Sequence, residues 1–212
     1  HTSAGQILDF VLHNTVDLSV DMNLPLFRGG QKSIVGKALL KQNDVKNKKI
    51  DLTFRAMTGT LTYDNGRWNG TDLTAILDEA NVKLKVRGGI NAPSFNTEFV
   101  VTGTTPIKYI FDKLEHHSPP FATWLQSYEI PENFNGITSW KNILRLPKYV
   151  ANSEVKKTHM IFSTDLEGVT ITLPEPFKKH KTESKLLVAD LAFRNGKVEK
   201  SLLTYDQLFK IG

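Results

Sequence analysis

The run from Val16 to Leu26 constrains the fold more than any other stretch, because apolar and polar residues alternate along it without a break. Its apolar members are Val16, Leu18, Val20, Met22, Leu24 and Leu26. Successive side chains of a β-strand point to opposite faces of the sheet, so this period of two predicts a strand with one wholly apolar face.

The same alternation recurs along the chain and is interrupted by turn signals. Residues 50–56, 82–87 and 95–101 alternate, and Asn-Gly pairs occur at 65–66 and 195–196. Asn-Gly suits the two positive backbone angles of a tight hairpin turn. We therefore expect ten to thirteen mostly antiparallel strands, with Ala56 on an apolar face. Residues 43–49 are expected to form a polar loop, and the pattern leaves the type of residues 7–13 open.

Residues 159–177 are predicted to form one bent strand. Met160 and Phe162 alternate in its first half, and a second alternating half follows Gly168. A glycine between two such halves favours a bulge or bend, because only glycine adopts positive φ without steric cost. Pro174 and Pro176 then end the strand.

The period changes at Thr105-Pro106, which predicts the start of a helix. Threonine is a good N-cap and proline is favoured at the first helical position, so we expect a helix over residues 106–116 that caps the end of the sheet or protects its edge. A second helical turn is expected at 121–125. The chain then divides into candidate sub-units 1–104 and 129–212, joined by a helical segment 105–128.

Composition limits the chemistry available to the chain. The 212 residues carry a formal net charge of +5 and contain no cysteine, so disulfides and thiolate metal sites are absent. His116 and His117 are adjacent, which is the wrong spacing for a chelating helical pair, and no nucleophile motif is present. We predict neither an enzyme nor a cofactor.

A cationic strip is the one charge pattern that suggests a partner. Lys83, Lys85 and Arg87 alternate with apolar residues, and Lys46, Lys48 and Lys49 add to the strip. This pattern indicates either a solvated outer face or contact with an anionic membrane surface. Aromatic residues are not interleaved with these cations, which argues against nucleic acid.

Two groups of motifs resemble a known family. The first group is Asp165-Leu166-Glu167-Gly168 followed by Leu173-Pro174-Glu175-Pro176, and the second is Asn135-Gly136 with Trp140 before Leu144-Arg145-Leu146-Pro147. They resemble the C-terminal half of the YhdP-type AsmA-like proteins, large envelope proteins of Gram-negative bacteria. The resemblance covers most of the chain, but its motifs are structural and not chemical.

The resemblance implies a mainly β fold in which a curled antiparallel sheet forms an apolar groove, or half-pipe, with one or two short helices. It also implies a non-enzymatic segment that holds phospholipid acyl chains for transport between the inner and outer membranes. The chain is then a fragment of a periplasmic protein anchored in the inner membrane. The anchor lies outside the fragment, and the remaining β-groove units of the same chain are partners.

The candidate groove residues are the apolar members of the alternating runs: Val16, Leu18, Val20, Met22, Leu24, Ile50, Leu52, Phe54, Val82, Leu84, Val86, Phe95, Phe99, Phe162, Val169, Ile171 and Leu173. A dry core demands the same residue types as a lipid groove. The alternative is therefore a closed β-sandwich that binds a protein or glycan partner.

Overall fold

The computed structural model describes residues 10–14, 16–23, 33–47, 52–89, 97–117, 126, 131–146, 157–194, 197–206 and 209–211. These residues include one helix, α1 (Ile107–His117), and a short 3-10 helix (Pro131–Asn133). The strands are β1 (Phe10–His13), β2 (Asp17–Asn23), β3 (Ser33–Asn47), β4 (Leu52–Asp64), β5 (Arg67–Leu77), β6 (Ala80–Gly89), β7 (Thr97–Pro106), β8 (Phe134–Leu146), β9 (Lys157–Thr164), β10 (Val169–Ile171), β11 (Leu187–Arg194), β12 (Lys197–Tyr205) and β13 (Phe209–Ile211).

The strands form one antiparallel sheet that is not closed into a barrel. Its order is β1-β3-β4-β5-β6-β7-β8-β9-β11-β12-β13, with β2 paired to β3 and β10 paired to β8. The prediction of a mainly β, antiparallel fold with a short helix is confirmed. The expected helical turn at 121–125 lies outside the described residues.

β1 and β2 lie in succession along the same edge of β3. β1 pairs with residues 44–47 and β2 with residues 33–39. The prediction of a loop at 43–49 is therefore wrong up to Asn47. The side chain of Asn43 accounts for the difference, because it accepts from the Lys41 amide at 2.7 Å and donates to the His13 carbonyl at 3.2 Å. A buried asparagine thus satisfies the backbone at a bulge in a continuing strand.

Register shifts between neighbouring strands change which side chains lie on each face of the sheet. The β3–β4 register shifts near Asn43, the β4–β5 register shifts after Arg55, and the β5–β6 register shifts after Gly70. Ala56 adopts φ 49°, and the buried side chain beyond it is Met57. The prediction for Ala56 is therefore wrong, because a bulge moves the alternation by one residue.

The Asn65-Gly66 turn is a two-residue hairpin, as predicted. Both residues have positive φ, 46° and 93°, and Asp64 pairs with Arg67 across the turn. Asn65 also contacts β3: its amide donates to the Ile34 carbonyl, and its side-chain oxygen accepts from the Ile34 amide, both at 2.9 Å. The end of the β4–β5 hairpin is thereby fixed to β3.

The predicted bend in residues 159–177 is also observed. β9 and β10 both pair with β8, and the bend at residues 165–168 separates them. Gly168 adopts φ 87° in this bend, and its amide donates to the Lys181 carbonyl at 3.0 Å. Glycine is needed here because an L side chain is strained at such a φ.

The described residues fall into two compact units, each made of several segments of the chain. Unit 1 extends to Val101 and adds the described parts of 143–160 and 192–199. Unit 2 contains the described parts of 102–142 and 161–191 and continues from Lys200. The contiguous sub-units 1–104 and 129–212 stay a prediction from the sequence.

Candidate functional site: an apolar sheet face

One face of the sheet in unit 1 carries apolar side chains in rows that cross several strands. On this face, one row close to the Asn65-Gly66 turn crosses all five strands from β2 to β6. Its residues are Val20, Gly36, Tyr63, Trp68 and Gly88. Directly paired residues of antiparallel strands lie on the same face, so each row is continuous. The face is therefore a product of the register and not of any single strand.

Exposure changes systematically across this face. Leu18 is 70% exposed and Met22 65%, whereas Leu40 and Leu73 are each 1% exposed. We call the exposed and half-buried residues the outer rows: Leu18, Val20, Met22, Ile34, Ala38, Leu61, Tyr63, Trp68 and Val86. The buried residues are the inner rows: Leu40, Phe54, Met57, Leu73, Ala75, Val82 and Leu84. Only the outer rows are open to a ligand.

The predicted groove residues of unit 1 divide between these rows. Leu18, Val20, Met22 and Val86 lie in the outer rows, and Phe54, Val82 and Leu84 lie in the inner rows. Val16, just before β2, and Phe99, on β7, are half-buried. Leu24, Ile50, Phe95 and the side chain of Leu52 lie outside what the structure describes.

The predicted groove residues of unit 2 lie in a different environment. Val169 and Ile171 are 0% and 1% exposed, in a core to which α1 contributes Ile107 and Phe111. Leu173 packs against that core. Phe162 is half-buried and stacks on Trp140, with 6.3 Å between ring centroids. Val169 and Ile171 are therefore packed beneath a helix and not available on an open surface.

Unit 2 also buries a lysine in the irregular segment that follows β10. Lys179 is 1% exposed, and its ammonium donates to the Val169 carbonyl at 2.8 Å and the His180 carbonyl at 3.1 Å. Burial lowers the pKa of this ammonium despite the nearby Glu183 carboxylate. Lys179 holds the 172–186 loop onto β10, and no sequence periodicity distinguishes it from its exposed neighbours.

The face opposite the outer rows is polar and carries a buried carboxylate between two arginines. Arg87 reaches one oxygen of Glu98 at 2.6 Å, and Arg145 donates to the other at 2.8 Å. Burial raises the pKa of Glu98, but the hydrogen bonds from Arg145 and Arg87 outweigh it, so its pKa lies below the usual range. Within the cationic strip, Arg87 therefore forms an ion pair with Glu98, whereas Lys83 and Lys85 are exposed.

The described parts of the chain lack two further classes of site. No cluster of three or more metal-ligating His, Asp or Glu side chains occurs there. No described helix combines the length and apolarity that a membrane span requires.

The fold defines a class: an antiparallel sheet that is not closed into a barrel, with a partly exposed apolar face in unit 1 and a helix-covered core in unit 2. The chain matches the model of the YhdP protein family over residues 2–211, and it belongs to that family. No curated protein and no solved structure matched the chain.

One residue pair of the outer rows was not predicted, although the sequence contains the signal for it. Tyr63 and Trp68 flank the Asn65-Gly66 hairpin symmetrically, so a two-residue turn places them opposite each other. Their ring centroids are 4.7 Å apart. Recognising the hairpin was therefore sufficient to predict an aromatic pair on the apolar face.

Proposed function

We propose that the outer rows hold phospholipid acyl chains, and that the chain is a non-enzymatic segment of an envelope protein that carries phospholipid between the inner and outer membranes. Membership of the YhdP family supports a role in lipid transport. The observation that carries the proposal is the alignment of Leu18, Val20 and Met22 on a single face, all three of them exposed.

An apolar face of this kind is unfavourable in water. Covering apolar surface contributes about 0.8 kcal/mol for each methylene removed from water, without any precise polar contact. The five strands from β2 to β6 span about 19 Å at the usual strand spacing. One acyl chain crosses about 15 Å, half of a bilayer's hydrocarbon core, so the face is wide enough for it.

The proposal places this segment in the periplasm, within a protein anchored in the inner membrane, where further β-groove units of the same protein would continue the path. Lipids would slide along the face, because apolar contact has no directional requirement. Lys83 and Lys85 are the groups through which the opposite face would meet an anionic membrane surface.

The test is native mass spectrometry of the protein purified without detergent, followed by organic extraction and lipid analysis of the same sample. Leu18→Asp places a charge on the outer rows. Ser19→Asp is the matched control, because Ser19 is exposed on the same strand and points to the opposite face. Both changes are at exposed positions, so circular dichroism should show a folded protein in each case.

We expect co-purified phospholipid in the wild type and in Ser19→Asp, and its loss in Leu18→Asp. Equal lipid content in the two variants would show that the lipid binds elsewhere. A wild-type protein without extractable lipid, and without uptake from added phospholipid vesicles, would refute the proposal.

A further inference from the structure

The aromatic pair Tyr63 and Trp68 lies between two glycines on the outer rows. Gly36 pairs with Tyr63 on one side, and Gly88 pairs with Trp68 on the other. The rings are inclined at 55° with centroids 4.7 Å apart, and both residues are half-buried. Because glycine has no side chain, the two rings stand above their neighbours in the row as a small platform.

This platform lies at the turn end of the β4–β5 hairpin. On the inner side, the next pair on the same face is Leu61 with Ala38. On the outer side, the next pair in the chain is Asp64 with Arg67, whose side chains point to the opposite face, and the turn that Asn65 fixes to β3 follows. On β4 and β5 the apolar face therefore ends at Tyr63 and Trp68, next to the turn, whereas Met22 and Ile34 continue it by one pair on β2 and β3.

Both aromatic side chains have an accessible polar atom. In the described part of the chain, neither Tyr63 Oη nor Trp68 Nε1 has a hydrogen-bond partner, and neither atom is buried. Buried tyrosine and tryptophan usually satisfy these atoms within the protein. Here the O–H and N–H groups are free to donate to a ligand beside the rings.

We propose that Tyr63 and Trp68 bind the glycerol-ester region of a phospholipid and fix the depth at which its chains enter the outer rows. This inference rests on the proposed function and adds a residue-level determinant to it. The rings cover the first methylenes of the chains, and the Tyr63 O–H and Trp68 N–H donate to ester carbonyl oxygens. The same combination of an apolar body and a polar edge places these residue types at membrane interfaces.

The first test measures depth by fluorescence quenching. The protein is loaded with phosphatidylcholine carrying a nitroxide either near the glycerol end or near the methyl end of one acyl chain. The emission of Trp68 is obtained as the difference between the wild type and Trp68→Phe. We expect the nitroxide near the glycerol to quench this emission more strongly, and equal or stronger quenching by the methyl-end label would overturn the assignment.

The second test separates recognition of the ester region from general apolar binding. Tyr63→Leu and Trp68→Leu keep an apolar side chain and remove the ring and its donor. We expect each variant to bind didecanoyl phosphatidylcholine about three- to ten-fold more weakly, and to bind N-phenylnaphthylamine, an apolar probe without esters, as the wild type does. Tyr63→Phe removes the hydroxyl alone and should show a smaller loss.

The two proposals fail in distinguishable ways. Phospholipid binding that depends on Leu18 but is unchanged in Tyr63→Leu and Trp68→Leu would overturn the role of the aromatic pair and leave the proposed function intact. Absence of phospholipid binding by the wild type would overturn both. Should either leucine variant fail to fold, the quenching comparison still decides the depth.

Discussion

The same alternation of apolar residues forms an exposed surface in unit 1 and a buried core in unit 2. In unit 1, the alternation on β2 leaves Leu18, Val20 and Met22 exposed at the edge of the sheet. In unit 2, Val169 and Ile171 alternate in the same manner, yet they pack with Ile107 and Phe111 of α1. The comparison shows that alternation specifies which face is apolar, whereas the element lying over that face decides whether it is a surface or a core.

The largest expected effect concerns the helix-covered core of unit 2. Phe111 is buried and meets Phe134 edge to face with 5.2 Å between ring centroids. Phe111→Ala should lower the free energy of unfolding by about 3–5 kcal/mol, because it leaves a cavity. Leu18→Ala, the matched truncation on the outer rows, should change it by less than about 0.5 kcal/mol. Urea denaturation measures both, and equal losses would remove the distinction between the units.

Two glycines, one in each unit, differ in the space available to an added Cβ atom. Gly136, in unit 2, has φ 137°, and an added Cβ would overlap the Gly168 carbonyl oxygen. Gly136→Ala should therefore cost about 2–4 kcal/mol of unfolding free energy. At Gly36, in unit 1, an added Cβ would meet its nearest atom, the Ser19 carbonyl oxygen, at 3.6 Å. Gly36→Ala should be neutral or slightly stabilising, and a large loss there would contradict an open face in unit 1.

A substitution of Glu98 tests how much the polar face stabilises unit 1. Glu98→Gln should cost about 1–3 kcal/mol at neutral pH, because it leaves two arginines with a weaker, neutral acceptor. The folded-state pKa of Glu98 lies below its ordinary value of 4.5, so its stabilisation is present above about pH 4.5 and lost as pH falls through the folded pKa. Chemical denaturation across this range should show the wild type converging on the variant, and a constant difference would refute the assignment.

The smallest effect concerns a single hydroxyl in unit 2. Tyr205 donates to the Phe177 carbonyl at 3.2 Å, so Tyr205→Phe should cost about 0.5–1.5 kcal/mol. Burial raises the pKa of Tyr205 from 10.0 to about 12, so the unfolded chain loses this proton first. Wild-type stability should therefore fall between pH 10 and 12 relative to the variant. Parallel pH profiles of the two proteins would show that the hydroxyl is not buried as the structure describes.

Much of the local structure followed from the sequence. The Asn65-Gly66 hairpin, the bend at Gly168 and the helix after Pro106 were all predicted, because turn chemistry and periodicity act over a few residues. The bulges at Asn43 and Ala56 were not predicted, because they depend on hydrogen bonds to residues distant in the chain. Asn43 donates to His13, and Asp44 accepts from the Ala56 amide at 2.9 Å.

The candidate site shows even more clearly what could not be predicted from the sequence. Sequence reasoning named Leu18, Phe54 and Val169 as equivalent groove residues, and the structure places them respectively on an exposed edge, in buried rows and beneath a helix. Their alternation is equally clear in each case. Nothing in the spacing of apolar residues records which distant element will lie over them.

The sequence by itself determined the β architecture, the antiparallel hairpins, the apolar identity of one face and the family. Only the tertiary structure decided that Lys179 is buried, that Tyr63 and Trp68 stand between glycines, and that Leu18 remains exposed whereas Ile171 does not. The reason is physical. Strand and turn formation depend on backbone angles and side-chain periodicity within a short segment, whereas burial depends on contacts between segments far apart in the chain.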